Sequence, residues 1–244
     1  MRQVPVFSSY LVVGNGRVAR HLRHYFSLEN IPFRSWYRQQ GLEELKAELK
    51  NASHVLLAIS DRAIESFYSE HPELSEKQCV HFSGSLHAKN IPGAHPLMTF
   101  ANELYDLDEY RRIPFIIERD GPRFEELLPG LKNKAYEIDP EQKGLYHALC
   151  SLAGNFTVML WEKAFSDFER RLGLPKEVLT PFLHRTAANL ANSSGEKSVL
   201  TGPLVRGDQV TIERHLGVLN GDPYREVYAA FVAAYSANAK GAQS

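Results

Sequence analysis

Two glycines and an alanine at a fixed spacing stand out near the N-terminus. Residues 11–19 read LVVGNGRVA, an apolar run followed by the pattern G-x-G-x-x-A. Gly14 would permit a tight turn, Gly16 would let a pyrophosphate approach the backbone, and Ala19 would keep the following helix close to the strand. This strand-turn-helix context predicts a dinucleotide site, and the alternative is an ordinary tight turn. The predicted contacts are Gly14, Asn15, Gly16, Arg17, Val18 and Ala19.

The segment after the second predicted strand bears on the choice of dinucleotide. NAD-binding proteins usually place an acid there for the ribose hydroxyls, but residues 31–42 contain none. Without that carboxylate a 2′-phosphate meets no repulsion, and Ser35 and Arg38 could bind it. The segment therefore predicts NADP (NADPH) rather than NAD. The alternative is that Arg38 is a solvated loop residue.

Small and hydroxyl-bearing residues follow the later predicted strands. In open parallel sheets the ligand cleft lies at the carboxyl ends of the strands, so these residues are candidates for the nicotinamide end. The predicted cofactor contacts are Ile59, Ser60, Ser83 and Gly84, and the predicted substrate contacts include Ser85 and His95. The alternative is structural, because Ser60 and Asp61 could cap a helix and Ser-Gly-Ser could be a turn.

A polar stripe on a long predicted helix supplies the candidate proton donors. Lys143, His147, Ser151 and Asn155 recur at i+4 among apolar neighbours. Lys143 or His147 could deliver a proton to a substrate that Asn155 orients. The stripe could equally face solvent or be satisfied within a core. Arg206 could bind a substrate carboxylate, or its segment could be a plain loop.

Composition and charge exclude several classes of protein. The chain has 244 residues, 28 Lys+Arg against 29 Asp+Glu, and no basic stripe, so nucleic-acid binding is not expected. It has no run of ~18 apolar residues and no secretory leader pattern, which predicts a soluble, cytoplasmic protein without a membrane span. Two isolated cysteines predict neither a disulfide framework nor a thiolate zinc site. His21 and His24 lack further ligands at suitable spacing, so no metal site is expected.

Short apolar runs alternate with amphipathic stretches before residue 139, which predicts a doubly wound parallel sheet. The predicted strands are Ser9–Val13, Pro32–Trp36, His54–Ile59, Gln78–Ser83 and Ile113–Ile117. The predicted helices between them are Arg17–Ser27, Leu42–Leu49, Asp61–Ser69 and Gly121–Leu131. After Asp139 only helical patterns remain: one runs to Gly173, and others begin near Pro175, Asp208 and Asp222. The sequence thus predicts an α/β chain with an NADP-binding Rossmann domain at 1–139 and an all-α domain at 140–244.

Five segments together resemble a known family. They are GNGRVA (14–19), HFSGSL (81–86), HPLMTF (95–100), KGLYHA (143–148) with Asn155, and TGPLVRGD (201–208) followed by His215. They are similar to the Rossmann-like NADP oxidoreductases whose C-terminal helical domain was formerly of unknown function. That family is related to ketopantoate reductase, pyrroline-5-carboxylate reductase and the β-hydroxyacid dehydrogenases. The resemblance implies a C-terminal domain like that of 6-phosphogluconate dehydrogenase, which binds a small substrate and forms a homodimer.

The resemblance also implies a chemistry. β-Hydroxyacid dehydrogenases use a helix lysine as acid/base with an asparagine four residues on; Lys143 matches the lysine, but His147 stands where the asparagine would be. The expected function is NADP-dependent reduction of a C=O or C=N bond in a small, carboxylated metabolite. Because the lysine–asparagine pair is incomplete, a non-catalytic NADP-binding sensor or scaffold is the first alternative. A protein that binds an unrelated nucleotide in the same cleft is the second.

Overall fold

The structure is a computed structural model, and it describes residues 9–195 and 198–241. The chain divides into two compact units, Met1–Glu162 and Lys163–Ser244. The first holds all the described strands and the second is helical. The predicted domain division at 139/140 lies just after the last strand and stays a prediction.

A four-stranded parallel sheet forms the first half of the chain. Its strands are β1 (Tyr10–Val13), β2 (Phe33–Trp36), β3 (His54–Leu57) and β4 (Gln78–His81), in the order β2-β1-β3-β4. Helices α1 (Arg17–Leu28), α2 (Leu42–Asn51) and α3 (Asp61–Glu70) connect successive strands. This arrangement confirms the predicted Rossmann-type architecture and sets all four carboxyl ends at one edge of the sheet.

The two faces of this sheet are both covered. Successive side chains of a strand point to opposite faces. Accordingly, Tyr10 and Val12 pack in one buried apolar cluster, whereas Leu11 and Val13 pack in the other. Every residue of β1 is at most 1% exposed. Burial on both faces explains why this strand is continuously apolar.

A three-stranded sheet follows in the same unit. Its strands are β5 (Ala94–Pro96), β6 (Phe115–Glu118) and β7 (Ala135–Ile138), in the order β5-β6-β7. Strand β5 is antiparallel to β6, whereas β7 is parallel to it. The short helices α4 (Leu107–Arg112) and α5 (Phe124–Leu127) lie between these strands in sequence.

Three expectations for this region need correction. The predicted helix Gly121–Leu131 is only the single turn α5, because Pro122 precedes it and Pro129 with the positive-φ Gly130 follows it. Strands β5 and β7 were not predicted, since β5 is three residues long and β7 has polar residues at its centre. Neither segment carries the apolar run that marked the other strands.

The helical part contains six helices among the described residues. They are α6 (Lys143–Ala153), α7 (Asn155–Leu172), α8 (Thr180–Ala191), α9 (Pro203–Arg206), α10 (Gln209–Val218) and α11 (Tyr224–Gly241). The helix predicted to run from Asp139 to Gly173 is therefore divided, because Gly154 departs from helical geometry with ψ −78°. Asp208 caps α10 by accepting a 3.1 Å hydrogen bond from the Thr211 backbone N–H. No helix in the described part of the chain is long and apolar enough to cross a membrane.

Candidate functional site

The turn between β1 and α1 requires glycine at its first position. Gly14 has φ +123°, and a Cβ there would lie 2.3 Å from the backbone oxygen of Ala58, just beyond β3. At Gly16 a Cβ would meet nothing within 4 Å, so this position opens onto free space. No side chain caps α1 at Gly16, which leaves the first backbone N–H groups of the helix available to an anion. The turn therefore has the geometry of a phosphate-binding site.

Arg23, the seventh residue of α1, supports this turn, and no sequence pattern had indicated it. Its guanidinium donates to the backbone oxygen of Gly14 at 3.1 Å and to Asn15 Oδ1 at 2.9 Å. Burial lowers the pKa of Arg23 from its usual value, and the nearby Arg20 adds to that effect. These bonds hold the turn in place independently of a ligand.

A cavity of about 740 Å³ lies along the carboxyl ends of the four parallel strands. Nine predicted cofactor contacts line it: Gly14, Asn15, Gly16, Arg17, Val18, Arg38, Ile59, Ser60 and Ser83. Ala19 is fully buried, as its predicted role in helix–strand packing requires. Ser35 lies within β2 and Gly84 directly follows Ser83, and neither belongs to the lining. Lining residues that the sequence did not indicate include Trp36, Tyr37, Gln39, Ser66, Phe67 and Glu70.

The two arginines near the end of β2 differ in whether their charge is free to bind a ligand. Arg34 donates to the Glu48 carboxylate at 3.2 Å, so its charge is already paired. Arg38 begins a short 3₁₀ turn, is exposed, and lines the cavity. Within the described residues no hydrogen bond or ion pair engages the Arg38 guanidinium. Arg38 is thus the cation at this end of the cavity that a ligand phosphate could reach.

Ser83 forms the opposite wall of the cavity and also organises a turn. Its hydroxyl donates to Asp61 Oδ2 at 2.6 Å and accepts from the Leu86 backbone N–H at 3.0 Å. Ser85 reaches the same Asp61 oxygen at 3.4 Å. The turn expected as the structural alternative for Ser-Gly-Ser is therefore present, and it coincides with the cavity wall.

Two imidazoles converge on Gly84, the residue after the cavity wall. A Cβ on Gly84 would lie 2.6 Å from His147 Cδ2 and 3.1 Å from His95 Nε2. The two rings are nearly perpendicular, with centroids 6.0 Å apart. Strand β5 supplies His95 and helix α6 supplies His147, so the two predicted residues lie together. Tyr146, which the sequence analysis did not select, shares a 2.6 Å hydrogen bond with His95 Nδ1.

Lys143 occupies a satisfied position in the interior, which was the structural alternative for its stripe. It is buried, and its Nζ donates to Glu118 Oε1 at 2.7 Å; both side chains are less than 10% exposed. His87 Nδ1 lies 3.3 Å from the other Glu118 oxygen. A Cβ on Gly93 would lie 2.7 Å from Lys143 Nζ and 2.8 Å from His81 Cε1, so the backbone at Gly93 passes close to both groups. Lys143 is therefore a fixed internal charge.

Burial and the Lys143 charge lower the pKa values of two neighbouring histidines. Burial, followed by repulsion from Lys143, lowers the pKa of His81 to about 4. Burial, then His147 and Lys143, lowers the pKa of His95 to about 4. Both are neutral imidazoles near pH 7. His81 Nδ1 accepts from the Ser83 backbone N–H, whereas its buried Nε2 has no partner among the described residues.

Two predicted site residues are not brought to this cluster by any described contact. Asn155 begins α7, beyond the break at Gly154, and is exposed. Arg206 ends α9 in the second unit, where its Nη2 lies 4.0 Å from Asp208. A substrate contact for either remains a prediction. Among the described residues no three His, Cys, Asp or Glu side chains are grouped to hold a metal ion.

Solved structures share this fold at low sequence identity. A Bacteroides fragilis protein assigned as an NADP oxidoreductase has a TM-score of 0.74 and 22% identity over 93% of this chain and 97% of its own. An imine reductase from Streptomyces aurantiacus has a TM-score of 0.64 and 13% identity over 96% and 95%. Pyrroline carboxylate reductase from Plasmodium falciparum, solved with NADP bound, has a TM-score of 0.57 and 13% identity over 93% and 99%.

Sequence comparison identifies the family. No curated protein sequence matches this chain. Residues 113–235, half of the chain, match the family described as domain of unknown function DUF2520. That match begins just before β6 and ends within α11, so it covers the Lys143–Glu118 pair and the helices. The chain therefore belongs to the DUF2520 family and combines that domain with an N-terminal Rossmann-type fold.

Proposed function

We propose that the protein is an NADP-dependent oxidoreductase that reduces a C=O or C=N bond of a small, carboxylated metabolite. The cavity beside Gly16 carries this proposal, because it joins an uncapped helix N-terminus to open space at the carboxyl edge of a parallel sheet. The neighbours assigned as NADP oxidoreductases support it through the shared fold. We assign cofactor binding to residues 1–139 and substrate binding to residues 140–244.

The choice of NADPH over NADH rests on Arg38. The end of β2 offers this exposed guanidinium to the cavity and offers no carboxylate in residues 31–42. An arginine forms strong, charge-assisted hydrogen bonds with a phosphate, whereas it gains less from a ribose hydroxyl. Ser35 is the second predicted contact of the 2′-phosphate.

The reaction would take place beside Gly84, next to the Ser83 wall of the cavity. NADPH, when bound, supplies a hydride to the carbon of the substrate double bond. His147 would donate a proton to the substrate oxygen or nitrogen, since its ring reaches Gly84 and is only half-buried. Lys143 is less suited to that task because Glu118 holds its ammonium group in the interior. Its fixed charge would instead favour negative charge that develops on the substrate.

The buried ion pair also supports the non-catalytic alternative. In that reading Lys143 and Glu118 are structural, and the protein senses NADPH or presents it to a partner. Steady NADPH oxidation would exclude this alternative. Binding of NADPH without turnover on any substrate would favour it.

We also propose a homodimer formed through the helices. In α11, Val227 and Phe231 are four residues apart and 38% and 53% exposed. In α10, Val210 and Val218 are more than 60% exposed. A monomer rarely leaves so much apolar helix surface in water, and a second copy is the simplest partner that would cover it.

Turnover on a defined panel of substrates tests the proposed activity. Purified protein is given NADPH with 2-keto acids, cyclic imines, and ketone–amine mixtures, and absorbance at the reduced nicotinamide band is followed. We expect oxidation with at least one class. The His147→Ala variant should keep its NADPH affinity and its fold but lose at least ~10²-fold in kcat. If the fall in kcat of His147→Ala only matched the fall in the fraction of folded protein, His147 would not be the proton donor.

A further inference from the structure

The 2.6 Å hydrogen bond between His95 Nδ1 and the Tyr146 hydroxyl fixes more than the position of the ring. A neutral imidazole carries one proton, on either Nδ1 or Nε2. If Tyr146 donates, Nδ1 is the acceptor and the proton is on Nε2. If Tyr146 accepts, the proton is on Nδ1 and Nε2 is a bare acceptor.

The neighbours of Tyr146 favour the first arrangement. The only other group described as acting on its hydroxyl is the Cys150 thiol, one turn further along α6. Sulfur is a weak acceptor, whereas an imidazole nitrogen is a strong one. The phenol proton therefore points to His95, and burial keeps it on the phenol by raising the pKa of Tyr146 well above its usual value.

The charges around His95 keep the ring neutral. His147 and Lys143 face it from α6 and disfavour a second proton, and only the more distant Asp61 from α3 favours one. Glu118 on β6 lines the same small pocket as the ring and is paired with Lys143. These groups, with burial, hold the pKa of His95 near 4.

The free edge of the ring faces Gly84. His95 Nε2 would lie 3.1 Å from a Cβ at that position, so glycine leaves the nitrogen uncovered. The structure describes no hydrogen-bond partner for this atom within its residues, and the His95 side chain remains partly exposed. An N–H group there is available to a ligand that reaches Gly84 from the Ser83 wall of the cavity.

We infer that Tyr146 is a positioning residue that fixes His95 as a neutral imidazole with its Nε2–H directed at the reacting oxygen or nitrogen of the substrate. His95 then stabilises the negative charge that develops during reduction by a hydrogen bond, and it gives up no proton. This inference rests on the proposed reduction. It separates the task of His95 from that of His147, which supplies the proton.

Nuclear magnetic resonance tests the assignment without any substrate. Protein labelled with ¹⁵N in its histidine rings is recorded between pH 5 and 8, and His95 is assigned from the resonances that a His95→Asn variant loses. We expect the pattern of a neutral Nε2–H ring at every pH in this range. The Tyr146→Phe variant should lose the fixed tautomer and show a mixture or the Nδ1–H form. Tyr136→Phe, at an exposed tyrosine of β7, is the matched control and should leave His95 unchanged.

Three results would overturn the inference: an Nδ1–H ring in the native protein, an imidazolium at pH 7, or a tautomer that Tyr146→Phe leaves intact. The first two need no Tyr146 variant, so they remain decisive if Tyr146→Phe does not fold. Calorimetry with NADPH on the same samples separates this inference from the proposed function. Absent NADPH binding would refute the function while the tautomer stays readable, and a wrong tautomer with normal NADPH binding would refute the inference alone.

Discussion

The sheet region, residues 9–138, and the helical region, α6 to α11, bury their apolar side chains very differently. In the sheet region β1 is completely enclosed, and two apolar clusters cover the faces of the parallel sheet. In the helical region only Leu179 and Ile212 are buried apolar residues among those described. On α6 the one buried side chain is a lysine, while Leu145 and Leu149 are more than half exposed.

This difference assigns separate tasks to the two regions. The sheet region has its own core and can hold a rigid cavity at its edge. The helices expose apolar surface that a core would normally hide, and this is the surface assigned to the proposed dimer. The Lys143–Glu118 ion pair joins helix α6 to strand β6 of the sheet region.

The largest expected effect comes from removing one partner of the buried ion pair. Lys143→Ala leaves the Glu118 carboxylate buried without its partner, which should lower the free energy of unfolding by about 3–5 kcal/mol. Urea denaturation followed by circular dichroism measures it. Arg123→Ala, which breaks the exposed Arg123–Glu126 pair, is the control and should lower the free energy of unfolding far less, because both side chains lie in water. Equal losses in both variants would show that burial of the Lys143 pair has no energetic consequence.

A charge on the exposed face of α11 should separate the proposed dimer. Phe231→Glu would bury a carboxylate in the apolar contact, and we expect the dimer dissociation constant to rise about 10²-fold. Light scattering at micromolar protein measures the mass as a function of concentration. Glu226→Gln, at an exposed polar position of the same helix, should keep the native mass. A native chain that is monomeric at every concentration would contradict the dimer.

A smaller effect is expected at the end of β2. Arg38→Ala should weaken NADPH binding by about 1–3 kcal/mol and leave NADH binding unchanged, since only NADPH carries the 2′-phosphate. Titration calorimetry with both cofactors measures the difference. Arg34→Ala is the matched control because Glu48 already pairs with that arginine. Equal NADPH and NADH affinities in the native protein would refute the proposed preference.

Local patterns made most of the parallel sheet predictable. The apolar runs of β1, β3 and β4 and the glycines of the first turn follow from short stretches of chain, and each was identified from the sequence. Gly14 illustrates the reason: its positive φ and its close approach to Ala58 allow no other residue. The break at Gly154 was missed because helical spacing continues across it.

The contacts that join His95 to Tyr146 and Glu118 to Lys143 were not predictable in the same way. His95 and Tyr146 are 51 positions apart, and Glu118 and Lys143 are 25 apart. The i+4 stripe correctly grouped Lys143 with His147, but periodicity does not indicate which member meets a buried carboxylate. It also passed over Tyr146, which is adjacent to His147 in sequence and outside the stripe. Only the fold determines those partners.

Calorimetric titration of NADPH into the native protein and the Gly16→Ala variant tests directly whether the turn after β1 binds the cofactor pyrophosphate. A Cβ at Gly16 meets no protein atom within 4 Å, so the variant should fold normally, yet it would occupy the space assigned to the pyrophosphate. We expect the native protein to bind NADPH and the Gly16→Ala variant to bind it about 10–100-fold more weakly. This is the scale of one lost charge-assisted hydrogen bond. Gly217→Ala, an equally uncrowded glycine in α10, should bind as the native protein does. Unchanged affinity in Gly16→Ala, or no NADPH binding by the native protein, would contradict the account.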